Sequence, residues 1–229
     1  MSTIISKYKN IPGFSAEAEF IINRYSTNLL DSSQIGTKRI FDVVFSIFFI
    51  LFIAVWLFPL IALAIRMESN GPVFFKQMRH GKNNVPFFCY KFRSMKFSPN
   101  GHFKQASKND PRITRVGLFL RKTSIDELPQ IINVLMGQMS IVGPRPHAIT
   151  MNKEFADKIQ YFMCRHMVKP GITGLAQAKG FRGEIMDEFD INTRLKYDLF
   201  YIKNWSVFLD FKVMFLTVKC LLANNDNAY

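Results

Sequence analysis

Polar positions all but vanish from Ile40 to Ile65, where the chain reads IFDVVFSIFFILFIAVWLFPLIALAI with one charge, Asp42. About 20 apolar residues suffice to cross a bilayer, so this stretch predicts a membrane helix. A buried core helix would have to be apolar on every side within a modest domain. Pro59 removes one hydrogen bond and presses on the carbonyl of Val55, so the helix is expected to kink or break there. Lys38 and Arg39 precede the run and Arg66 follows it. Lys and Arg are kept on the cytoplasmic side. Cations at both ends of a broken helix therefore favour a re-entrant hairpin, dipping into one leaflet and returning with its freed backbone groups shielded by protein. A full span stays open, because the arm before Pro59 is nearly long enough by itself.

After the turn signal Asn70-Gly71-Pro72, two apolar-aromatic runs, Val73 to Gln77 and Val85 to Phe92, flank the turn chemistry of residues 79–84. They predict a β-hairpin. Alternation puts Lys91 and Arg93 on one face of its second strand, as a phosphate site or a solvated edge. Residues 98–109 read as a polar loop. Lys153 to Met167 reads as one helix with Phe155, Ile159, Phe162 and Met163 on a face. Residues 169–174 form a tight turn pair, 182–190 a polar loop, and Ile191 to Lys203 a helix. Trp205 to Ala223 is apolar but carries Asp210, Lys212 and Lys219. It reads as an interfacial helix with Trp205 at headgroup level and Phe208, Phe211 and Phe215 directed into lipid, or as an ordinary core helix. The divisions are a polar segment 1–37, a membrane helix 38–67 broken at Pro59, a catalytic domain 68–204 and an interfacial helix with its tail, 205–229.

The candidate chemistry lies in RKTSIDELPQIINVLMGQMSIVGPRP, Arg121 to Pro146. Leu128, Ile131, Ile132 and Leu135 fall on one helical face, and Gly137 sits where a C-terminal cap is expected. Pro129 suits a first turn, which places Asp126 at or beside the N-cap, where the helix dipole keeps a carboxylate ionised. An ionised aspartate among cations is a nucleophile toward phosphorus. A divalent ion would hold the second acid, Glu127, together with a diphosphate. Ser124-x-x-Glu127 is equally a capping box, with Asp126 an ordinary first-turn acid. The prolines around Arg145 make Val142 to Pro146 a rigid loop.

Charge and composition move these readings. Thirty basic against 17 acidic residues give +13, which calls for a polyanionic partner, and 24 phenylalanines turn that partner toward a membrane rather than nucleic acid. Cys89, Cys164 and Cys220 show no disulfide framework, which fits a reducing compartment. His80, His102, His147 and His166 have no ligand spacing. Residues 1–37 carry no basic n-region running into an apolar core, so no secretory signal is read there.

In order along the chain, Lys38-Arg39-x-Phe41-Asp42, Gly71-Pro72-Val73-Phe74-Phe75-x-Gln77, Lys91-Phe92-Arg93-Ser94-Met95, Asp110-Pro111-Arg112-Ile113-Thr114, Asp126-Glu127-Leu128-Pro129-Gln130, Gly143-Pro144-Arg145-Pro146, Pro170-Gly171-Ile172-Thr173-Gly174 and Asp198 with Tyr201 resemble the bacterial sugar transferase family. The resemblance covers about Lys38 to Thr217. It implies an α+β, mostly helical fold, with a kinked re-entrant membrane helix, a small β-hairpin and interfacial amphipathic helices around a cytosol-facing site at the bacterial inner membrane. It implies transfer of sugar-1-phosphate from a UDP-sugar to undecaprenyl phosphate, through a phospho-sugar on Asp126, to begin capsule, exopolysaccharide or O-antigen synthesis. Glu127 and Asp126 would hold Mg²⁺. Arg121 and Arg145, and less directly Lys91 and Arg93, would neutralise phosphates. The resemblance leaves a homo-oligomer open. The chain departs from relatives at Phe58, where serine is common, in the longer arm before Pro59, and at Gln138, where an acid is common. The competing reading is a membrane-tethered scaffold that binds anionic lipid or partner enzymes without catalysis.

Overall fold

The computed structural model describes residues 32–97, 110–183, 185 and 187–223. The expected polar segment before Ser32, the loop 98–109 and His102 lie outside them. Helix α1 (Ser32–Phe49) passes through a π-helical turn, Ile50–Ala54, into α2 (Val55–Glu68). Strands β1 (Phe74–His80) and β2 (Pro86–Phe92) pair antiparallel, from Phe74 opposite Phe92 to His80 opposite Pro86. Then follow α3 (Arg115–Thr123), a 3₁₀ turn at Ile125–Glu127, α4 (Gln130–Leu135) and β3 (Ser140–Val142). Next come α5 (Ile149–Lys158), a 3₁₀ stretch at Phe162–Met167, β4 (Gly171–Thr173), which pairs parallel with β3, and α6 (Leu175–Ala178). The described chain ends with α7 (Glu188–Lys203) and α8 (Val207–Leu222). The fold is α+β and mostly helical, as expected.

Pro59 does not break the long apolar helix. It lies inside α2, and helical structure is continuous from Ser33 to Glu68. The departure from α-geometry is upstream, at Ile50–Ala54. The proline ring presses on the carbonyl one turn before it, and a widened π turn ahead of Val55 absorbs that pressure without ending the helix.

One stripe of this helix is buried along its length: Lys38, Asp42, Ser46, Ala54, Ile61 and Ile65. The other faces leave Ile40, Val44, Phe48, Phe52, Trp56, Leu60 and Leu63 exposed. Phe41, Phe45, Phe49 and Ile50 pack against the main core. Leu57 and Phe58 pack with Ile61, Ile65, Phe92 and Leu120 in a second cluster. Asp42, the lone charge of the apolar run, faces inward. Its Oδ1 accepts hydrogen bonds from Ser140 Oγ at 2.9 Å and Ile141 N at 3.0 Å. Lys38 Nζ reaches Asp210 at 2.7 Å and Asp42 at 3.4 Å. Arg39 donates to the carbonyls of Val134 and Leu135, at 2.6 and 2.8 Å. Those carbonyls lie in the last turn of α4, where Val134 O also accepts from Gly137 N at 2.9 Å, so the apolar helix helps to cap the helix that follows the acid pair.

Several expectations are corrected. Residues 153–167 are not one helix. α5 stops at Lys158, Tyr161 turns the chain at φ +65°, and a 3₁₀ stretch follows. Phe155, Ile159 and Phe162 still meet, in a cluster with Ile191 and Leu195, so the apolar face survived although the periodicity did not. α7 begins at Glu188, where Asp187 accepts from the Asp190 N–H at 2.8 Å, a side-chain cap. Trp205 is not at a headgroup level. It is 1% exposed, and its indole N–H lies 3.3 Å from Asp210. Burial of Asp210 at the start of α8 draws that donor into the core. α8 combines both readings: Asp210 and Val213 are buried, while Phe208, Phe211 and Phe215 are exposed. Phe211 stacks edge-on to Phe41 of α1, with ring centroids 5.2 Å apart.

Gly117 in α3 lies so close to the second strand's exit that an added Cβ would be 2.0 Å from the Ser94 carbonyl oxygen. Gly36 in α1 has nothing within 4 Å of that position. Gly→Ala in an open helix stabilises by up to about 1 kcal/mol. In thermal melts in detergent, Gly36→Ala should raise the midpoint. Gly117→Ala should lower stability by about 2 kcal/mol or more, the scale of overpacking.

Candidate active site

The acid pair sits between two helices rather than at the tip of one. Ser124, left-handed at φ 56°, ends α3, and the 3₁₀ turn Ile125–Glu127 follows. Glu127 N bonds Ser124 O at 3.2 Å and Leu128 N bonds Ile125 O at 3.1 Å. Pro129 takes the N-cap position of α4, so Asp126 lies three residues ahead of that cap, not at it. The capping box does not form either. Ser124 Oγ accepts from Arg182 at 3.1 Å, and the Glu127 side chain turns toward β2 and the proline-flanked loop.

There the Glu127 carboxylate meets two cations. Lys91 Nζ is 2.5 Å from Oε1, Arg145 Nη2 is 2.7 Å from Oε1, and Arg145 Nη1 is 2.9 Å from Oε2. Burial alone would raise its pKa, but Arg145 and Lys91 outweigh burial and hold the carboxyl well below the usual carboxylate range. Glu127 is therefore a fixed anion. Asp126 differs. It is 8% exposed, and among the described residues nothing donates a hydrogen bond to its carboxylate. Burial first, and the neighbouring Glu127 charge, push its pKa up to about 6, against the pull of Lys91, Arg121 and Arg145. The sequence expectation of a dipole-stabilised acid is corrected: cations, not a helix end, keep this carboxylate ionised at neutral pH.

Arg121, in the last turn of α3, donates from Nε to Ser94 Oγ at 2.8 Å and lies within electrostatic reach of Asp126. Lys91, Arg121 and Arg145 are thus brought together around the acids. Arg93 is not. Its guanidinium donates to the carbonyls of Asn70 and Ser69, at 2.8 and 2.6 Å, and ties the end of the apolar helix to the hairpin. β2 ends at Phe92, so strand alternation no longer sets where Arg93 points. Arg182 was missed. It lies in the loop read only as polar, yet it is close enough to Asp126 and Glu127 to feel both charges. Nothing local in the sequence separates it from a solvated loop arginine.

Behind Arg145 lies a cleft lined by Arg145, His147, Arg165, Gln177, Phe181, Arg194 and Asp198. His80 and His166 bond Asn152 and Asn84, at 3.1 and 2.6 Å, which accounts for them structurally. Cys89 and Cys164 are buried free thiols whose pKa burial pushes up. Among the described residues no three His, Cys, Asp or Glu side chains gather to hold an ion by themselves. Glu127 Oε2 accepts one bond from Arg145 and Asp126 accepts none, so the two acids keep lone pairs for a metal that brings phosphate oxygens with it.

Residues 33–224 match the family model described as bacterial sugar transferase. A Klebsiella pneumoniae protein named UDP-glucose:undecaprenyl-phosphate glucose-1-phosphate transferase is 50% identical over 182 residues, covering 79% of this chain and 39% of that protein. An Escherichia coli (strain K12) protein of the same name is 48% identical over 199 residues, covering 86% and 42%. The chain thus spans about two fifths of the length of these relatives. A Rhizobium leguminosarum bv. phaseoli relative, "Exopolysaccharide production protein PSS", is 44% identical over 186 residues and is covered to 92% of its length. With the family model spanning most of the described fold and the acid pair, the chain belongs to the bacterial sugar transferase family.

Proposed function

We propose that the protein transfers sugar-1-phosphate from a UDP-sugar to undecaprenyl phosphate, with Asp126 as the covalent carrier. The observation that carries this reading is the division of labour in the acid pair: Glu127 is clamped by Lys91 and Arg145, while Asp126 accepts no hydrogen bond inside the same ring of cations. In the first step an Asp126 carboxylate oxygen attacks the sugar-bearing phosphorus. The bond from that phosphorus to the bridging oxygen breaks, and UMP leaves with the electron pair. In the second step a phosphate oxygen of undecaprenyl phosphate attacks the same phosphorus and Asp126 departs as carboxylate. Both steps bring anions to an anion, and Arg121, Arg145 and Lys91 offset that repulsion in a site largely sealed from water. Asp126 and Glu127 would hold Mg²⁺, which supplies further charge neutralisation at the phosphate oxygens. The scaffold reading gives no reason to set one acid of an adjacent pair inside a ring of cations while the other takes the direct contacts.

The membrane reading rests on the one-sided helix. Its inward stripe, from Lys38 to Ile65, stays against the globular body, and the remaining faces are apolar and exposed. A helix standing upright through a bilayer would leave such a body within a few turns. This supports a helix held in one leaflet of the inner membrane, unbroken rather than the broken hairpin expected, with the site on the cytoplasmic face and α8 lying at the interface. The Rhizobium relative's name places it in exopolysaccharide production; the same assignment is proposed here, with capsule and O-antigen initiation as its chemical equivalents.

Purified in detergent with Mg²⁺ and a panel of UDP-sugars, the wild type should release UMP, and Asp126→Asn should lose at least about a thousandfold in rate. Equal rates would exclude the covalent route. The same variant should be more stable. An acid whose pKa is raised on folding destabilises the folded state once both forms ionise, and the penalty disappears when both are protonated. A rise from 3.8 to about 6 corresponds to up to about 3 kcal/mol. In EDTA at pH 7.5, Asp126→Asn should therefore melt higher than wild type, and the gap should close below about pH 4. For topology, cysteines introduced at Ser32 and Ser69 should both resist an impermeant maleimide in intact cells and react after permeabilisation. Labelling of one alone from outside would establish a span.

A further inference from the structure

The loop Gly143-Pro144-Arg145-Pro146-His147 must hold Arg145 against Glu127, yet its two prolines have no N–H. The structure holds three of its carbonyls, those of Pro144, Arg145 and Pro146, with donors from outside the loop. Gly171 N donates to Pro144 O at 2.9 Å. Arg165 Nη2 donates to Arg145 O at 2.7 Å. Arg79 Nη1 donates to Pro146 O. Arg165 grips the loop twice, since its Nη1 also lies 2.8 Å from His147 Nδ1. An arginine only donates, so that nitrogen must be the unprotonated acceptor. Burial, and then Arg165 itself, hold the His147 pKa well below its usual value. Arg165 is 2% exposed, and its charge is balanced by Asp198 of α7, 3% exposed, at 2.7 Å.

We infer that Arg165 and Asp198 are positioning residues for the transfer reaction, acting through Arg145: the Asp198 carboxylate orients the Arg165 guanidinium, which fixes the Arg145 backbone and so aims the Arg145 fork at Glu127. The run is continuous, from Asp198 to Arg165 to Arg145 to Glu127, with each contact between 2.7 and 2.9 Å. A buried guanidinium is costly to desolvate, and its planar fork serves acceptors in several directions at once, which an ammonium does not reproduce. Asp198 belongs to the motifs that the acid-pair chemistry leaves unused, and this gives it a role.

The inference rests on the reading of Asp126 and Glu127 as the reacting site, and the experiment separates the two. UMP release is measured for wild type, Arg165→Lys, Arg145→Lys and the double variant, with melting midpoints alongside. Arg165→Lys should lower kcat 10- to 100-fold, with KM within threefold and the midpoint within a few degrees. Because both residues act through one guanidinium, the double variant should lose less than threefold beyond Arg145→Lys. Asp198→Asn, which leaves Arg165 in place, should give a smaller loss in kcat and the same non-additivity. It carries the test if Arg165→Lys does not fold. Losses that multiply, or a kcat within threefold of wild type, would overturn the inference while leaving the site reading intact. A wild type that releases no UMP would remove the site reading itself.

Discussion

Two adjacent carboxylates buried side by side repel each other, and neither tolerates low dielectric alone. The remainder of the site answers that constraint. β2 contributes Lys91, α3 contributes Arg121, and the loop between β3 and α5 contributes Arg145, so three separate segments converge on one 3₁₀ turn. The cations are not shared evenly. Glu127 takes the direct contacts and becomes a fixed anion. Asp126 is left with field but no hydrogen bond, and its pKa settles at about 6. A carboxylate in that position is ionised at neutral pH and poorly solvated, which is the condition of a competent nucleophile.

The apolar helix is part of the same construction, not an anchor tied on beside it. Arg39 caps α4, directly after the acid pair, and Asp42 accepts bonds from the start of β3, which leads to Arg145. At its far end Glu68 accepts from the N–H groups of Arg115 and Val116 at the start of α3, at 2.6 and 2.8 Å, and α3 carries Arg121. Both ends of one helix therefore fix elements that supply the catalytic face. The proposed reaction, joining a soluble nucleotide sugar to a lipid phosphate, would need its phosphorus chemistry held at a constant depth from the lipid. Rigid coupling between the helix and the site provides that.

Different parts of the chain were legible to different degrees. The apolar run was read correctly as a helix because hydropathy over that length has few other outcomes. The hairpin was read from turn residues, and Asn83 and Asn84 do adopt positive φ, at 56° and 61°. The helix over residues 153–167 was misread because its apolar spacing was real, yet a left-handed Tyr161 splits it while leaving the same side chains in one cluster. Arg93 and Trp205 point away from where local pattern put them. Arg93 is held by the Ser69 and Asn70 carbonyls, 24 and 23 positions back in the chain, and Trp205 by the buried Asp210 carboxylate of its own segment.

The sequence by itself determined the long apolar helix, the adjacency of the two acids and the family, since these depend on local composition and ordered motifs. Tertiary structure alone decided which acid is clamped and which is free of hydrogen bonds, that Arg182 stands near both, and that Asp198 reaches Arg145 through Arg165. Those outcomes depend on burial and on contacts between residues 18 to 58 positions apart in the chain. No local pattern encodes a desolvation cost, because that cost exists only once distant segments have closed around the charge.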